Sequence, residues 1–77
     1  MQVLIAEDDP VSRRLLQSYL QKWGYEVIVA KDGAEAVQIV QVKMVHLAIF
    51  DLHMPRLTGL EALQVVRQIN QLLPAIL

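Results

Sequence analysis

Three short runs of apolar residues, many of them β-branched, recur along the chain, and longer amphipathic stretches separate them. The runs span residues 3–6, 27–30 and 47–50. A continuous apolar run of this length is typical of a strand that is buried on both faces, as strands are in parallel sheets. Parallel neighbours need a crossover between them, and each amphipathic stretch is long enough to supply a helix. The sequence therefore favours an open α/β sheet.

The first amphipathic stretch has start and stop signals for a helix. Asp9 can cap the first turn, Pro10 suits a position that needs no N–H donor, and Gly24 is typical of the residue that follows a helix. We expect one set of side chains to pack on the sheet and another to face solvent. The apolar set is Val11, Leu15, Leu16, Tyr19, Leu20 and Trp23, and the polar set is Arg13, Arg14, Gln17 and Gln21.

Two further stretches begin with a capping box, in which a capping side chain is followed three residues later by a glutamate. Asp32 and Glu35 begin one stretch, and Thr58 and Glu61 begin the other. Residues 74–77 look like the opening of a fourth strand. The predicted order is βαβαβα plus that strand, in a single domain over residues 1–77. The second helix would bury Ala36, Val37, Ile39 and Val40, and the third would bury Leu60, Leu63, Val66 and Ile69.

Composition excludes several classes of protein. With 55% hydrophobic and 19% charged residues the chain is too apolar to be disordered, and a net charge of −1 offers no basic surplus for direct binding to nucleic acid. The absence of cysteine excludes disulfides and thiolate metal sites. The first apolar run ends at Glu7 and is too short for a signal peptide or a membrane span. We therefore expect a cytoplasmic protein without a membrane partner.

Half of the acidic residues fall where two of the predicted strands end. Glu7, Asp8 and Asp9 follow the first strand, and Asp51 follows the third. Polar function in open α/β sheets gathers at the carboxyl ends of the strands, and carboxylates brought together there favour a hard cation such as Mg²⁺. Asp9 and Asp32 are better explained as helix caps. From residue types alone, Glu7, Asp8 and Asp51 form either a cation site or a set of strand-end carboxylates without a ligand.

Two local sequences resemble the receiver domains of response regulators in two-component signalling. The segment VLIAEDDP at residues 3–10 resembles their first strand and acidic turn, and DLHMPRLTG at residues 51–59 resembles their phosphoacceptor loop. The two segments also occur in the family's order and spacing. The resemblance implies a flavodoxin-like fold with the parallel strand order 2-1-3, extended by a fourth strand. It further implies that the chain corresponds to the N-terminal portion of the domain, as a C-terminally truncated receiver.

The resemblance also implies a role for each matching position. Asp51 would accept a phosphoryl group from the phosphohistidine of a histidine kinase or phosphotransfer protein, with Mg²⁺ as the cofactor. Asp8 and Asp51 would bind Mg²⁺ directly, Glu7 would hold it through water, and the backbone carbonyl of His53 would supply another ligand. Such a module is not an enzyme with a substrate of its own. Met54 and Pro55 would shape the loop, and Gly59 would let the backbone pass at the start of the third helix.

The family's pattern also includes a Ser or Thr at the end of the fourth strand and a Lys at the end of the fifth, and neither has a counterpart here. The lysines of this chain are Lys22, Lys31 and Lys43, all of which precede Asp51. We therefore expect Mg²⁺ binding to survive and phosphoryl switching to be impaired. The apolar content and an open sheet edge further predict a homodimer, joined through residues 74–77 in an antiparallel, two-fold arrangement.

Three alternative functions stay open at this point. The first is a receiver-derived dimerisation or protein-interaction module without phosphoryl switching. The second is an aspartate-nucleophile phosphatase, although such enzymes carry a second carboxylate two residues after the nucleophile, where this chain has His53. The third is a nucleotide-binding half-domain, although no glycine-rich phosphate loop follows the first strand.

Overall fold

The structure is a computed structural model that describes residues 1–51, 59–70 and 72–76. Within these residues strands and helices alternate, so the predicted βαβαβα order is confirmed, with a short fourth strand after it. None of the described helices is long and apolar enough to cross a membrane. In chain order the elements are β1 (Gln2–Ala6), α1 (Pro10–Lys22), β2 (Glu26–Ala30), α2 (Gly33–Val42), β3 (Leu47–Phe50), α3 (Gly59–Ile69) and β4 (Ala75–Ile76).

The strands form one parallel sheet in the order β2-β1-β3-β4. β1 pairs with β2 along its whole length, from Gln2 opposite Glu26 to Ala6 opposite Ala30. Its other edge pairs with β3, and β3 pairs in turn with β4. The predicted flavodoxin-like strand order is therefore confirmed, and β1 lies at the centre of the sheet with both edges paired.

Two hydrophobic cores lie on the two faces of the sheet. Because the side chains of a strand alternate between faces, β1 contributes Leu4 and Ala6 to one core and Val3 and Ile5 to the other. The first core is covered by α2 and α3, which pack against each other as well as on the sheet. The second is covered by α1, which lies over β1 and β2. Among the described elements, the two faces are therefore covered unequally.

Gly24 ends α1 as the sequence predicts. Its φ of +92° lies in the left-handed region that favours glycine. The Gly24 N–H donates to the carbonyl of Gln21 at 3.0 Å, and the Tyr25 N–H donates to the carbonyl of Leu20 at 3.1 Å. These two bonds form a Schellman motif, which satisfies carbonyls at the end of the helix and turns the chain directly into β2.

The face of α1 that packs on the sheet differs from the predicted one. Leu16 and Leu20 pack on the sheet as expected, but Arg13 and Gln17, which were expected in solvent, are half-buried. The apolar set covers about half of the circumference of the helix, so its periodicity alone does not determine which part faces inward. The rest of that set is exposed: Val11 (74%), Leu15 (55%), Tyr19 (52%) and Trp23 (69%).

The start of α2 has the Asp32 cap that the sequence predicts, while the Glu35 side chain bonds one residue earlier than a capping box requires. The Asp32 carboxylate, which is only 5% exposed, accepts from the Glu35 N–H at 2.8 Å. The Glu35 side chain reaches back to the Lys31 N–H at 3.4 Å, one residue before the cap. On the other side of α2, Ala36 is buried and Val37, Ile39 and Val40 pack against the core, as predicted.

The buried face of α3 is narrower than the sequence predicted. Ala62 and Val66 are fully buried and Leu63 is half-buried, but Leu60 and Ile69 are exposed. Leu60 lies about 200° of helical rotation from Ala62, so it projects away from the sheet. The predicted cap at Thr58 lies outside the described residues.

Candidate metal centre at the carboxyl end of the sheet

The ends of β1 and β3 place Glu7 and Asp51 side by side. Ala6 and Phe50 form the last register pair of these two strands. Just beyond them, the Asp51 N–H donates to the Ala6 carbonyl at 2.9 Å, and the Glu7 N–H donates to the Ala30 carbonyl of β2 at 3.1 Å. The backbone of the acidic turn is therefore tied to both neighbouring strands, and its side chains start from fixed positions.

Three carboxylates meet at this edge of the sheet. One oxygen each from Glu7, Asp8 and Asp51 lies within 4.8 Å of the others. Opposite ligands of an octahedral Mg²⁺ ion are about 4.2 Å apart, and the ion prefers hard oxygen donors. Glu7 and Asp51 are half-buried whereas Asp8 is exposed, which leaves an open side for water ligands. The residues present therefore fit a Mg²⁺ ion after small side-chain adjustments.

The pKa of the Glu7 carboxyl is raised above its ordinary value. Burial is the largest cause, and the Asp9 N–H, which donates to Glu7 Oε1 at 3.1 Å, acts in the opposite direction. The charge of Asp51, a side-chain hydrogen bond with Asp51 and the charge of Asp8 raise the pKa further. The ionised cluster is therefore electrostatically unfavourable by itself, and a bound cation would relieve it.

Asp9 is the acidic residue of the turn that serves a structural role. Its carboxylate accepts from the Ser12 hydroxyl at 2.7 Å and from the Ser12 N–H at 3.0 Å, which caps α1. These bonds are the main reason that the pKa of Asp9 is lowered. The predicted division is thus observed, with Asp9 at the helix start and Glu7 and Asp8 in the cluster.

Arg13 is a residue of this region that the sequence reasoning missed. Its Nη1 donates to the backbone carbonyl of Glu7 at 3.0 Å, and the side chain is half-buried. The sequence did carry one signal, because Arg13 shares a helical face with Leu16 and Leu20, whereas Arg14 does not. A long side chain on the inward face of the first turn can reach back to the strand end before it.

The remaining residues of the predicted site are distributed as follows. His53, Met54 and Pro55 lie outside the described residues. Gly59 is the first residue of α3. Lys31 follows β2, which pairs with β1 and not with β3, so it begins on the far side of β1 from Asp51.

Comparison with protein families gives one match over almost the whole chain. The family described as the response regulator receiver domain matches residues 3–77. The response regulator RR06 of Streptococcus pneumoniae is 41% identical over 71 residues, which are 92% of this chain and 31% of that protein. The sensor histidine kinase RcsC of Salmonella typhimurium is 32% identical over 76 residues, 99% of this chain and 8% of that protein. The chain thus spans a third or less of both relatives.

Solved structures agree with the fold. The chemotaxis protein CheY4 of Vibrio cholerae superposes with a TM-score of 0.92 and 34% identity, over 96% of this chain and 63% of that one. The response regulator protein TrrA of Thermotoga maritima, in complex with Mg²⁺-BeF, gives a TM-score of 0.88 and 34% identity over 91% and 61%. A complex of the histidine kinase ThkA with TrrA gives 0.91 and 32% over 96% and 64%. The chain spans about three fifths of each matched chain.

Proposed function

The chain belongs to the receiver-domain family of response regulators, and on that premise we propose that it is a phosphoacceptor module whose acceptor is Asp51. The observation that carries the proposal is the convergence of Asp51 with Glu7 and Asp8, whose carboxylate oxygens lie within 4.8 Å of one another. The proposed role is to receive a phosphoryl group as a signal, without enzymatic action on a substrate of its own.

Mg²⁺ is the cofactor that we propose for this cluster. Asp8 and Asp51 would bind it directly and Glu7 would hold it through a water molecule. The similar response regulator TrrA forms a complex with Mg²⁺-BeF, which supports the assignment. When bound, the cation supplies positive charge to the oxygens of the phosphoryl group in the transition state.

Asp51 acts as the nucleophile in this proposal. One of its carboxylate oxygens attacks phosphorus in line while the bond between phosphorus and the nitrogen of a phosphohistidine breaks. The products are an acyl phosphate on Asp51 and a free imidazole, which takes up a proton from solvent. The hydrogen bond from the Asp51 N–H to the Ala6 carbonyl holds the backbone of Asp51 in place while its carboxylate reacts.

A histidine kinase or a phosphotransfer protein is the partner that we propose as the donor. RcsC is a sensor histidine kinase, and the complex of ThkA with TrrA pairs a histidine kinase with a response regulator. This donor chemistry suits a cytoplasmic location, which stays a prediction. The net charge of −1 gives no reason to propose nucleic acid as a direct partner.

Phosphoryl acceptance by these 77 residues taken alone is proposed to be slow. The three lysines of the sequence are Lys22 at the end of α1, Lys31 after β2 and Lys43 after α2. None of them follows β3 or lies on a strand next to it, so none is well placed to pair with a phosphoryl group on Asp51. Cation binding, which needs only the carboxylates, is expected to be less affected.

Incubation with acetyl phosphate and Mg²⁺ tests the proposal, with intact-mass spectrometry as the readout. We expect one added phosphoryl group in the unsubstituted chain and none in Asp51→Asn or when Mg²⁺ is chelated. Asp9→Asn is the matched control, because asparagine also caps a helix and Asp9 is outside the cluster. Labelling that persists in Asp51→Asn, or that does not need Mg²⁺, contradicts the proposal.

A dimerisation module is the second candidate function, and the exposed stripe of α1 favours it. The α1 stripe consists of Val11, Leu15, Tyr19 and Trp23, spaced four residues apart, and the rings of Tyr19 and Trp23 lie 6.4 Å apart. Its exposed area, on the order of 500 Å² per copy, falls below the roughly 800 Å² typical of a stable interface. We therefore propose a weak homodimer.

Helix-dipole complementarity favours a second copy of the chain as the occupant of the α1 stripe. The charges near the start of α1 balance, since Asp8 and Asp9 precede Arg13 and Arg14. An antiparallel, two-fold pairing of α1 with α1 of another copy aligns opposite helix dipoles beside the apolar stripe. Residues 74–77, where the sequence predicted the dimer contact, expose less apolar surface. Ile76 is the exposed large apolar side chain described there.

Light scattering coupled to size exclusion decides between these surfaces. We expect the mass to rise towards that of a dimer between micromolar and millimolar concentration, and Leu15→Lys to keep the chain monomeric. Ile76→Lys is the control that leaves dimerisation unchanged if the α1 stripe is the interface. A monomer throughout this range contradicts the dimer, and a loss of dimer in Ile76→Lys alone would place it at the β4 edge.

A further inference from the structure

Arg13 makes a contact that links α1 to the acidic turn. Its guanidinium donates to the Glu7 carbonyl at 3.0 Å from a half-buried position, whereas the adjacent Arg14 is exposed. An arginine is a costly residue to hold in a half-buried place, because its side chain loses rotamer freedom and part of its hydration. The local effect of this contact on the acidic turn therefore needs to be identified.

The carbonyl that Arg13 binds belongs to the peptide unit between Glu7 and Asp8. That unit is rigid and planar, so fixing its oxygen also fixes the direction in which the chain leaves Glu7 and enters Asp8. Two other bonds hold the same turn: the Glu7 N–H donates to Ala30, and the Asp9 N–H donates to Glu7 Oε1. Unlike these two bonds, the Arg13 bond holds the Glu7–Asp8 peptide from the side of α1.

The guanidinium of Arg13 can affect cation binding in two ways, through its charge and through the geometry of the turn. A positive charge near the cluster repels Mg²⁺, so an arginine that acted only through its charge would weaken binding. An arginine that acts by geometry strengthens binding, because it holds two of the three carboxylates in their converging positions. The two effects have opposite signs and can be separated by experiment.

We propose that Arg13 is a positioning residue for the Mg²⁺ site, which orients Glu7 and Asp8 through the peptide between them. This inference rests on the proposed function, since it assumes that the cluster binds Mg²⁺. The planar guanidinium can present a directed N–H to the carbonyl from the helix, which the flexible ammonium of a lysine does not reproduce. The identity of the side chain, and not only its charge, then determines the affinity of the site.

Mg²⁺ titration followed by calorimetry or amide NMR tests this in four variants. We expect Arg13→Lys, which keeps the charge, to weaken Mg²⁺ binding on the order of tenfold, as changes of outer-shell partners commonly do. Arg13→Gln should also weaken binding, although it removes a repulsive charge. Arg14→Lys and Arg14→Gln are the matched controls from the same turn, and neither should change the affinity by more than about twofold, because Arg14 is exposed and screened.

A second readout needs no metal. In the metal-free protein, hydrogen exchange at the Asp9 amide, which donates to Glu7 Oε1, should accelerate in Arg13→Lys, while exchange at the amides of Leu4 and Ile5 in β1 stays unchanged. This separates a local effect on the turn from a general loss of stability. It also gives a result for any variant whose Mg²⁺ affinity is too low to measure.

The outcomes are distinct. No saturable Mg²⁺ binding by the unsubstituted chain overturns the proposed cation site and the inference with it. Binding that is equal in the unsubstituted chain and in Arg13→Lys overturns the inference alone, as does tighter binding in Arg13→Gln, which would show a charge effect. A lower melting temperature of Arg13→Lys without any local change in exchange would assign Arg13 to stability only, and this too overturns it.

Discussion

The conformation of Gly24 has a consequence that can be measured at a single residue. Its φ of +92° disfavours any side chain, yet a Cβ placed there would meet nothing within 4 Å. We therefore expect Gly24→Ala to destabilise the fold by about 1 kcal/mol, entirely through backbone strain. Urea unfolding gives the value, and Gly24→Asn should lose less, because asparagine tolerates this region. Equal stability of the alanine variant would show that the turn relaxes into another conformation.

The raised pKa of the Glu7 carboxyl predicts that the stability of the fold depends on pH. Because the folded chain raises its pKa, chiefly through burial, the ionised group destabilises the metal-free fold above the ordinary value of 4.5. Glu7→Gln should therefore melt at a higher temperature than the unsubstituted chain at pH 7. The difference should shrink as the pH falls through the raised pKa and vanish below the ordinary value, where the glutamate is protonated in both states.

The same substitution should weaken the response to Mg²⁺. A ligand that binds only the folded state stabilises it by about 2.7 kcal/mol when its concentration is 100 times the dissociation constant. We expect this gain in the unsubstituted chain and a smaller one in Glu7→Gln. A variant that is more stable without the metal and less stabilised by it would trace both effects to one carboxylate.

At the scale of elements, substitution of Asp32 tests how much its cap stabilises the start of α2. Its buried carboxylate accepts from the Glu35 N–H, so Asp32→Ala leaves a helix N–H without its acceptor. The expected loss is about 1 kcal/mol, measured by chemical unfolding. Asp32→Asn is the conservative control, and it should retain most of the stability because asparagine is an equally good cap. If both variants lose the same amount, the charge of Asp32 matters more than the cap.

The elements also show what the sequence can and cannot predict. Caps and turn residues such as Asp9, Gly24 and Asp32 act through local hydrogen bonds and backbone angles, so their neighbours in sequence suffice to identify them. The inward face of α1 depends instead on where the helix lies over β1 and β2, which no local pattern contains. Leu16 and Leu15 are equally apolar, yet one packs on the sheet and the other is exposed.

The same distinction applies to the metal centre. Strand ends and acidic residue types predicted that Glu7, Asp8 and Asp51 could meet, because parallel strands end at a common edge. The contact of Arg13 with the Glu7 carbonyl was not predicted, since it depends on the exact rotation of α1. Residue types therefore predict which groups gather at a site more easily than they predict which groups orient it.

At the scale of the whole molecule, truncation in the core under α2 and α3 should remove most of the folding free energy. Leu4 is fully buried under α2 and α3, and truncation of such a leucine to alanine costs about 3 kcal/mol. A chain of this size rarely has more than about 5 kcal/mol of folding free energy. Leu4→Ala should therefore leave no more than about 2 kcal/mol of folding free energy and lower the midpoint of urea unfolding by more than half.

Ile5 provides a smaller deletion on the opposite face. It is also fully buried, and Ile5→Val removes one methylene at a cost of about 1 kcal/mol. This variant should stay folded and shift only the midpoint of urea unfolding. If Leu4→Ala were as stable as Ile5→Val, the core under α2 and α3 would have to close around the lost side chain.

The central place of β1 has a consequence for how the chain is made. A ribosome delivers β1 before either of its neighbours, and its second edge must wait for β3, whose pairing with β1 joins Val3 to Leu47. Until then a strand that is apolar from Val3 to Ala6 leaves the exit tunnel with unpaired amides on at least one edge, at a stage when nascent chains are prone to associate. Folding during synthesis can therefore complete only late, and factors that shield emerging apolar segments should matter more for this chain than for one whose first strand lies at the edge of the sheet.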